Sequence, residues 1–274
     1  MEATKDLLKN LIQTAESQNN VFKRNILKEH LQLLILDFMY SSSKYSELIF
    51  YGGSCLKHCF NLQRLSEDLD FVDVKKEIKL SELARDIERY FKEKTDLHLT
   101  AAIQKFRIYL KFPILHELKL SEKGGSDFLF LKVEVFNDFT CKEYTTRIIP
   151  IFKQNKSILI KTFDLPTLMA TKIMAIFHRK WEKRDKKGNI LASVKGRDYF
   201  DLMWYLQKKI KPNIKCLKGI KDEKMLKEEL LTAISKIDTR SIAFDLEALI
   251  GDMNFVHNLS GNIKEILKQE ILNI

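Results

Sequence analysis

Leu48-Ile49-Phe50-Tyr51-Gly52-Gly53-Ser54-Cys55-Leu56-Lys57, with Arg64-Leu65-Ser66-Glu67-Asp68-Leu69-Asp70-Phe71-Val72 close behind, decides how this chain is read. An apolar run long enough for one short strand stops at two glycines, and a serine opens a helix-like segment. Glycines between a strand and a helix let the main chain approach a ligand closely. The first amides of the helix then form an anion site that Ser54 Oγ can extend, and phosphate is its natural occupant. In the second run, strand alternation puts Asp68 and Asp70 on one face and turns Leu69 and Phe71 into a core. Two neighbouring carboxylates repel, so the pair is costly at a partly buried site unless a divalent cation lies between them. Gly-Gly-Ser is also an ordinary turn, and Asp-x-Asp is also a common solvated strand face. A phosphate cradle beside a Mg²⁺ dyad describes nucleoside triphosphate chemistry.

The two runs together, Gly52-Gly53-Ser54 followed a dozen residues later by Arg-x-Ser-x-Asp-x-Asp-Phe, resemble the nucleotidyltransferase superfamily, and within it the AbiEii/AbiGii toxins of abortive-infection and toxin–antitoxin systems. The resemblance implies a minimal, polymerase-β-like nucleotidyltransferase core of α/β (α+β) class, with N-terminal helices and a helical C-terminal domain. It implies transfer of a nucleoside monophosphate from an NTP, with Mg²⁺ or Mn²⁺ as cofactor. Asp68 and Asp70 would then be the metal ligands, and Gly52, Gly53, Ser54, Arg64 and Ser66 the nucleotide-binding residues. The third carboxylate of the superfamily sits on a later strand, which makes Glu134 the metal-ligand candidate within Phe128–Phe136. Lys132 and Glu134 share a face there, which is also a common solvated arrangement.

The rest of the chain reads as follows. Residues 4 to 17 and 21 to 40 have helical periodicity, Ser54 to Leu62 fits a short helix, and Leu69 to Val74 a strand. Residues 80 to 93 form a charged amphipathic helix. Strands are expected at Leu97–Leu99, Arg107–Phe112 and Phe128–Phe136, with a turn over Lys123–Asp127. From about Asp164 the composition is helical, so the boundary between a nucleotidyltransferase domain and a helical domain is placed between residues 158 and 159. Asp164-Leu165-Pro166 is a capped helix start.

In that helix Leu168, Met169, Ile173 and Ile176 form an apolar stripe with Lys172 in its middle. Such a lysine snorkels to the surface or aims its charge at a triphosphate, and the resembled toxins carry a lysine in this helix. Later, Asp198 and Asp201 share a helix face in a segment that is otherwise almost wholly apolar, and buried acids need partners. The family's late motif matches at Arg197, Asp198 and Asp201, which implies catalytic or supporting roles for them. Gly196 departs from the motif, a minor departure on sequence alone.

The 274 residues carry a net charge of +10, and the stretch from Arg179 to Arg197 holds eight Lys or Arg against Glu182 and Asp185. That excess favours an acidic partner, nucleic acid first, and the RNA acceptor, such as tRNA, that the toxin resemblance implies agrees with it. The toxin resemblance adds a cognate antitoxin. No run approaches about 18 apolar residues and the first residues are unlike a signal peptide, so a cytoplasmic protein is expected. The four cysteines are few and scattered and do not suggest a disulfide framework, and Cys55, His58 and Cys59 lack a second cluster for zinc. A small-molecule nucleotidyltransferase, which would not need the positive charge, and a non-catalytic nucleic-acid-binding protein of the same fold are the alternatives.

Overall fold

A computed structural model describes residues 4–15, 17, 19–122, 124–185 and 187–273. The expected turn at Lys123–Asp127 therefore lies partly outside the described residues, as does Lys186 of the basic stretch. The chain divides into two compact units, Met1–Phe139 with Thr146–Thr162, and Thr140–Thr145 with Phe163–Ile274.

The first unit is built on a seven-stranded mixed sheet. Helices α1 (Thr4–Gln13) and α2 (Asn20–Ser41) lead into β1 (Ile49–Tyr51), α3 (Gly52–Phe60), β2 (Leu69–Val72) and α4 (Leu80–Lys94). Then follow β3 (Thr100–Gln104), β4 (Arg107–Pro113), β5 (Phe128–Phe136), β6 (Thr146–Lys153) and β7 (Lys156–Phe163). The sheet order is β3-β4-β5-β2-β1-β7-β6. Asn19 caps α2 by accepting from the Val21 and Phe22 amides at 2.8 and 3.2 Å, which satisfies two otherwise orphaned donors. Leu27, Leu31, Ile35 and Met39 of α2 and Leu83, Ile87 and Phe91 of α4 are buried at helical spacing. Alternate residues Ile108, Leu110 and Phe112 of β4 and Leu129, Leu131 and Val133 of β5 meet them from the sheet.

Two differences from the sequence reading concern strands. At Leu97–Leu99 there is no strand; Leu97 is buried in the link after α4, and pairing begins at Thr100. The β6–β7 hairpin was not anticipated at all. Its two-residue turn, Gln154 and Asn155 at φ 51° and 58°, matches the twist of a tight hairpin without any glycine. Pro150 within β6 argues against a strand, yet β6 is the outer strand of the sheet, where a missing amide costs no pairing.

The second unit holds α5 (Leu165–His178), the short ribbon β8 (Lys183–Arg184) and β9 (Ile190–Ala192), α6 (Gly196–Gln207), a 3₁₀ turn at Ile214–Cys216, α7 (Glu223–Ser235), α8 (Thr239–Leu246) and α9 (Met253–Leu272). Asp164 caps α5 by accepting from Thr167 N at 3.0 Å. Leu202, Leu230, Ile234, Ile242, Ile263 and Leu267 are fully buried in its core. Gly196 is a packing requirement: a Cβ there would lie 2.7 Å from Ile242 Cα and 2.9 Å from its carbonyl oxygen in α8. Cys141 is disulfide-bonded to Cys216, 75 residues away, so one pair of the scattered cysteines is joined within this unit.

Candidate active site

The strand–glycine–helix junction brings the first cluster together. β2 runs antiparallel to β1 with Asp70 opposite Tyr51, and parallel to β5 with Asp70 opposite Glu134. Aligned residues on neighbouring strands project to one face. Asp70 and Glu134 therefore share a face, and Asp68, two residues before Asp70, joins them, while Leu69 and Phe71 are fully buried on the other side.

The two glycines fit closely. Gly52 has φ +77°, and a methyl group on it would collide with the Asp70 carboxylate. A Cβ on Gly53 would stand 2.7 Å from Arg64 Nη2 and 2.9 Å from Ser66 Oγ. The two glycines themselves open α3, whose Gly52, Gly53 and Ser54 amides have no partner one turn back in the helix. The Ser54 hydroxyl is buried and donates to the Asp68 carbonyl. Its side chain thus holds the Asp-x-Asp main chain against α3, leaving the serine's amide for an anion. Behind this, the Gln32 side chain donates to the Ser66 carbonyl at 3.0 Å and lies 3.1 Å from His58 Nε2. Burial, and then the charges of Lys153 and Lys57, push the His58 pKa down to about 3.

Basic residues that sequence reasoning did not single out complete the cluster. Lys132 Nζ lies 2.7 Å from Asp68 Oδ2, and Arg107 Nε 2.7 Å from Glu134 Oε1. Burial opposes the charge on Lys132, but Asp68 outweighs it and the pKa is raised. Glu134 is also raised: burial comes first, and Asp68 adds to it against Arg107 and Lys132. These partners sit across strand registers, which the sequence does not specify; the only signal was Lys132 on the same face as Glu134.

A hard divalent cation takes carboxylate oxygens, and the Asp68 and Asp70 side chains on one face, beside amide donors for phosphate, supply that chemistry. Among the described residues no group of three or more His, Cys, Asp and Glu side chains converges on one point. The donor set therefore fits through Asp68 and Asp70, with Glu134 on the adjacent strand held by Arg107.

The second unit contains a different constellation. Lys172 Nζ stands 2.8 Å from Asp198 Oδ1 and 2.7 Å from Asp201 Oδ2, and Arg179 Nη1 2.6 Å from Asp198 Oδ2. Burial alone would raise the Asp198 pKa; the Lys172 and Arg179 charges override it and bring the group to about 2. The Arg197 amide donates to Asp245 Oδ2 at 2.9 Å. Lys172 therefore sits in an ion-paired network inside its stripe, and Arg179 was the member that sequence reasoning did not assign.

The sequence pattern described as "Nucleotidyl transferase AbiEii toxin, Type IV TA system" matches residues 37–255. Among solved structures the chain is similar to MenT4, the nucleotidyltransferase toxin Rv2826c from Mycobacterium tuberculosis H37Rv, at TM-score 0.57 and 12% identity over 100% of this chain and 91% of that one. JHP933 from Helicobacter pylori gives TM-score 0.49 and 16% identity over 91% of this chain and 94% of that one. A putative nucleotidyltransferase from H. pylori gives 0.47 and 15% over 90% and 95%. No curated protein matches the chain. Among the described residues no helix is long and apolar enough to cross a membrane. With its pattern matched over 37–255 and the fold of a nucleotidyltransferase toxin, the chain belongs to the AbiEii nucleotidyltransferase toxin family and is itself a nucleotidyltransferase.

Proposed function

We propose that this toxin moves a nucleoside monophosphate from an NTP to an RNA acceptor, tRNA being the expected kind, in a reaction that depends on Mg²⁺ or Mn²⁺, and that a cognate antitoxin restrains it. The observation that carries the reading is the Asp70 carboxylate lying against Gly52, which puts the acidic face beside the orphan amides at the start of α3. Those amides of Gly52, Gly53 and Ser54 receive triphosphate oxygens. Arg64 and Ser66 back the glycine turn and keep it closed to side chains. Asp68 and Asp70 hold the divalent cation, with Glu134 as the third carboxylate on the neighbouring strand. When bound, the cation neutralises charge on the reacting phosphates. In such transfers the protein mainly positions groups and compensates charge, which suits a cluster of carboxylates, cations and amide donors.

In the second unit Lys172 is the proposed phosphate-facing cation, oriented by Asp198 and Asp201, with Arg197 as a supporting residue. The net charge of +10 and the basic run from Arg179 to Arg197 support a polyanionic acceptor. The test is incubation with Mg²⁺ and each radiolabelled NTP, with and without total RNA. Label is expected in RNA only when the divalent cation is present. Label in no macromolecule, or label that persists in EDTA, contradicts the reading.

A further inference from the structure

The end of α5 and the start of α6 enclose a recess of about 40 Å³, lined by Arg179, Trp181, Val194, Lys195, Asp198 and Tyr199 among others. Two cations line it, Arg179 and Lys195; Lys172, which shares Asp198 with Arg179, and Arg197 belong to the same network, and all of these but Lys195 have carboxylate partners. Lys172 pairs with Asp198 and Asp201, Arg179 with Asp198, and Arg197 with Asp245 at 3.7 Å. Lys195 is the exception: among the described residues no carboxylate lies within ion-pair distance, and its Nζ stands 5.8 Å from the centre of the Trp181 ring. Burial first, then repulsion from Arg197 and Arg179, brings its pKa down to about 8. The Tyr199 hydroxyl, in a side chain only 6% exposed, likewise has no hydrogen-bond partner among the described residues.

A half-buried ammonium with no direct carboxylate partner, offset only from farther away by Asp198 and Asp245, and a hydroxyl that bonds no described protein group leave this recess with donors to offer a ligand. The volume suits about three waters or one tetrahedral oxyanion. The donors are an ammonium, a phenol and the edge of a guanidinium, while both Asp198 oxygens are already engaged. We infer that this recess is a phosphate site in which Lys195, Arg179 and Tyr199 hold a phosphoryl group, with Trp181 at its mouth. The exposed side of that indole can stack a base next to the phosphate. The recess does not depend on the proposed RNA acceptor; only the source of the phosphate does, an RNA strand under that reading or a small phosphate otherwise.

Trp204→Phe leaves Trp181 as the sole tryptophan, whose emission reports on the recess. This full-length protein is titrated at constant ionic strength with inorganic pyrophosphate, and separately with a short single-stranded RNA. A saturable change is expected in at least one arm, and the arm identifies the source. Lys195→Gln is expected to weaken that binding at least tenfold and Tyr199→Phe several-fold, while Lys92→Gln, on α4 of the first unit, leaves it unchanged. Because Lys195 is unpaired, Lys195→Gln is also expected to keep or raise the melting temperature, and to lose the ligand-induced rise that the parent shows. No change in either arm, or equal binding by Lys195→Gln, overturns the inference, whatever the outcome of the transfer assay.

Discussion

Two aspartate pairs, Asp68 with Asp70 and Asp198 with Asp201, use the same residue type in opposite ways. The first pair is spaced by two on a strand and the second by three on a helix, so each shares a face by the period of its own element. The Asp68 side chain is 23% exposed and its partner Lys132 is 34% exposed. Asp198 and Asp201 are 5% and 0% exposed and their shared Lys172 is 12% exposed. An exposed pair lets a cation come and go at small cost, whereas a buried one locks its partners together. Position in a motif thus says little about whether an acid serves chemistry or architecture; the exposure of its counterion says more.

The widest separation between the two regions is expected on removing charge. Lys172→Met leaves two buried carboxylates without their lysine, which costs about 3–5 kcal/mol, so its urea midpoint falls sharply. Asp68→Asn relieves repulsion from Asp70 and Glu134 but gives up the part-exposed pair with Lys132, so stability changes by no more than about 1 kcal/mol while transfer drops by several powers of ten. A Lys172→Met protein as stable as the parent breaks the comparison.

Acid separates the regions next. His58 has its folded pKa, about 3, below the ordinary 6.5. Its neutral form therefore stabilises the first unit fully above pH 6.5, and this is lost as the pH falls towards 3, by about one power of ten in the unfolding constant per pH unit. Asp198, at about 2 against 3.8, gives the second unit a contribution that is complete above pH 3.8 and fades only towards pH 2, about 2 kcal/mol in all. Hydrogen exchange between pH 6.5 and 4 should show the first unit loosening before the second, and His58→Gln should flatten that dependence.

Smaller effects follow at the glycine junction. Gly52→Ala forces a side chain onto a residue at φ +77° and into the Asp70 carboxylate, with an expected cost of about 1–3 kcal/mol and near-complete loss of transfer. Ser54→Ala removes one hydrogen bond to the Asp68 carbonyl, about 1 kcal/mol. It should lower transfer modestly by loosening β2, with NTP affinity largely kept because the Ser54 amide remains.

Much of this was legible in the sequence because it rests on local periods. The alternation around Asp68 and Asp70, the glycine break, the cap at Asp164 and the lysine inside an apolar stripe are all readable from neighbours in the chain. The rest needed tertiary contact. Lys132 and Arg107 meet their acids through strand register, and the Ser54 hydroxyl finds a carbonyl fourteen residues on. Gly196 is a glycine because α8 crosses it, which no motif comparison of its own segment expresses. Pro150 concealed β6 because a proline is compatible with a strand only at a sheet edge, and edge position is a property of the assembled sheet. Cys141 and Cys216 are 75 residues apart, and nothing local pairs them.

The central claim is that Asp68 and Asp70 hold the divalent cation of the transfer reaction. Electron paramagnetic resonance of Mn²⁺, titrated with the parent protein, Asp68→Asn and Asp70→Asn in the presence of a non-hydrolysable NTP analogue, tests it without relying on turnover. The parent should bind Mn²⁺ saturably, with Mg²⁺ displacing it, and both variants should weaken that binding at least tenfold while remaining folded. Parent-like Mn²⁺ affinity in both folded variants would contradict the account.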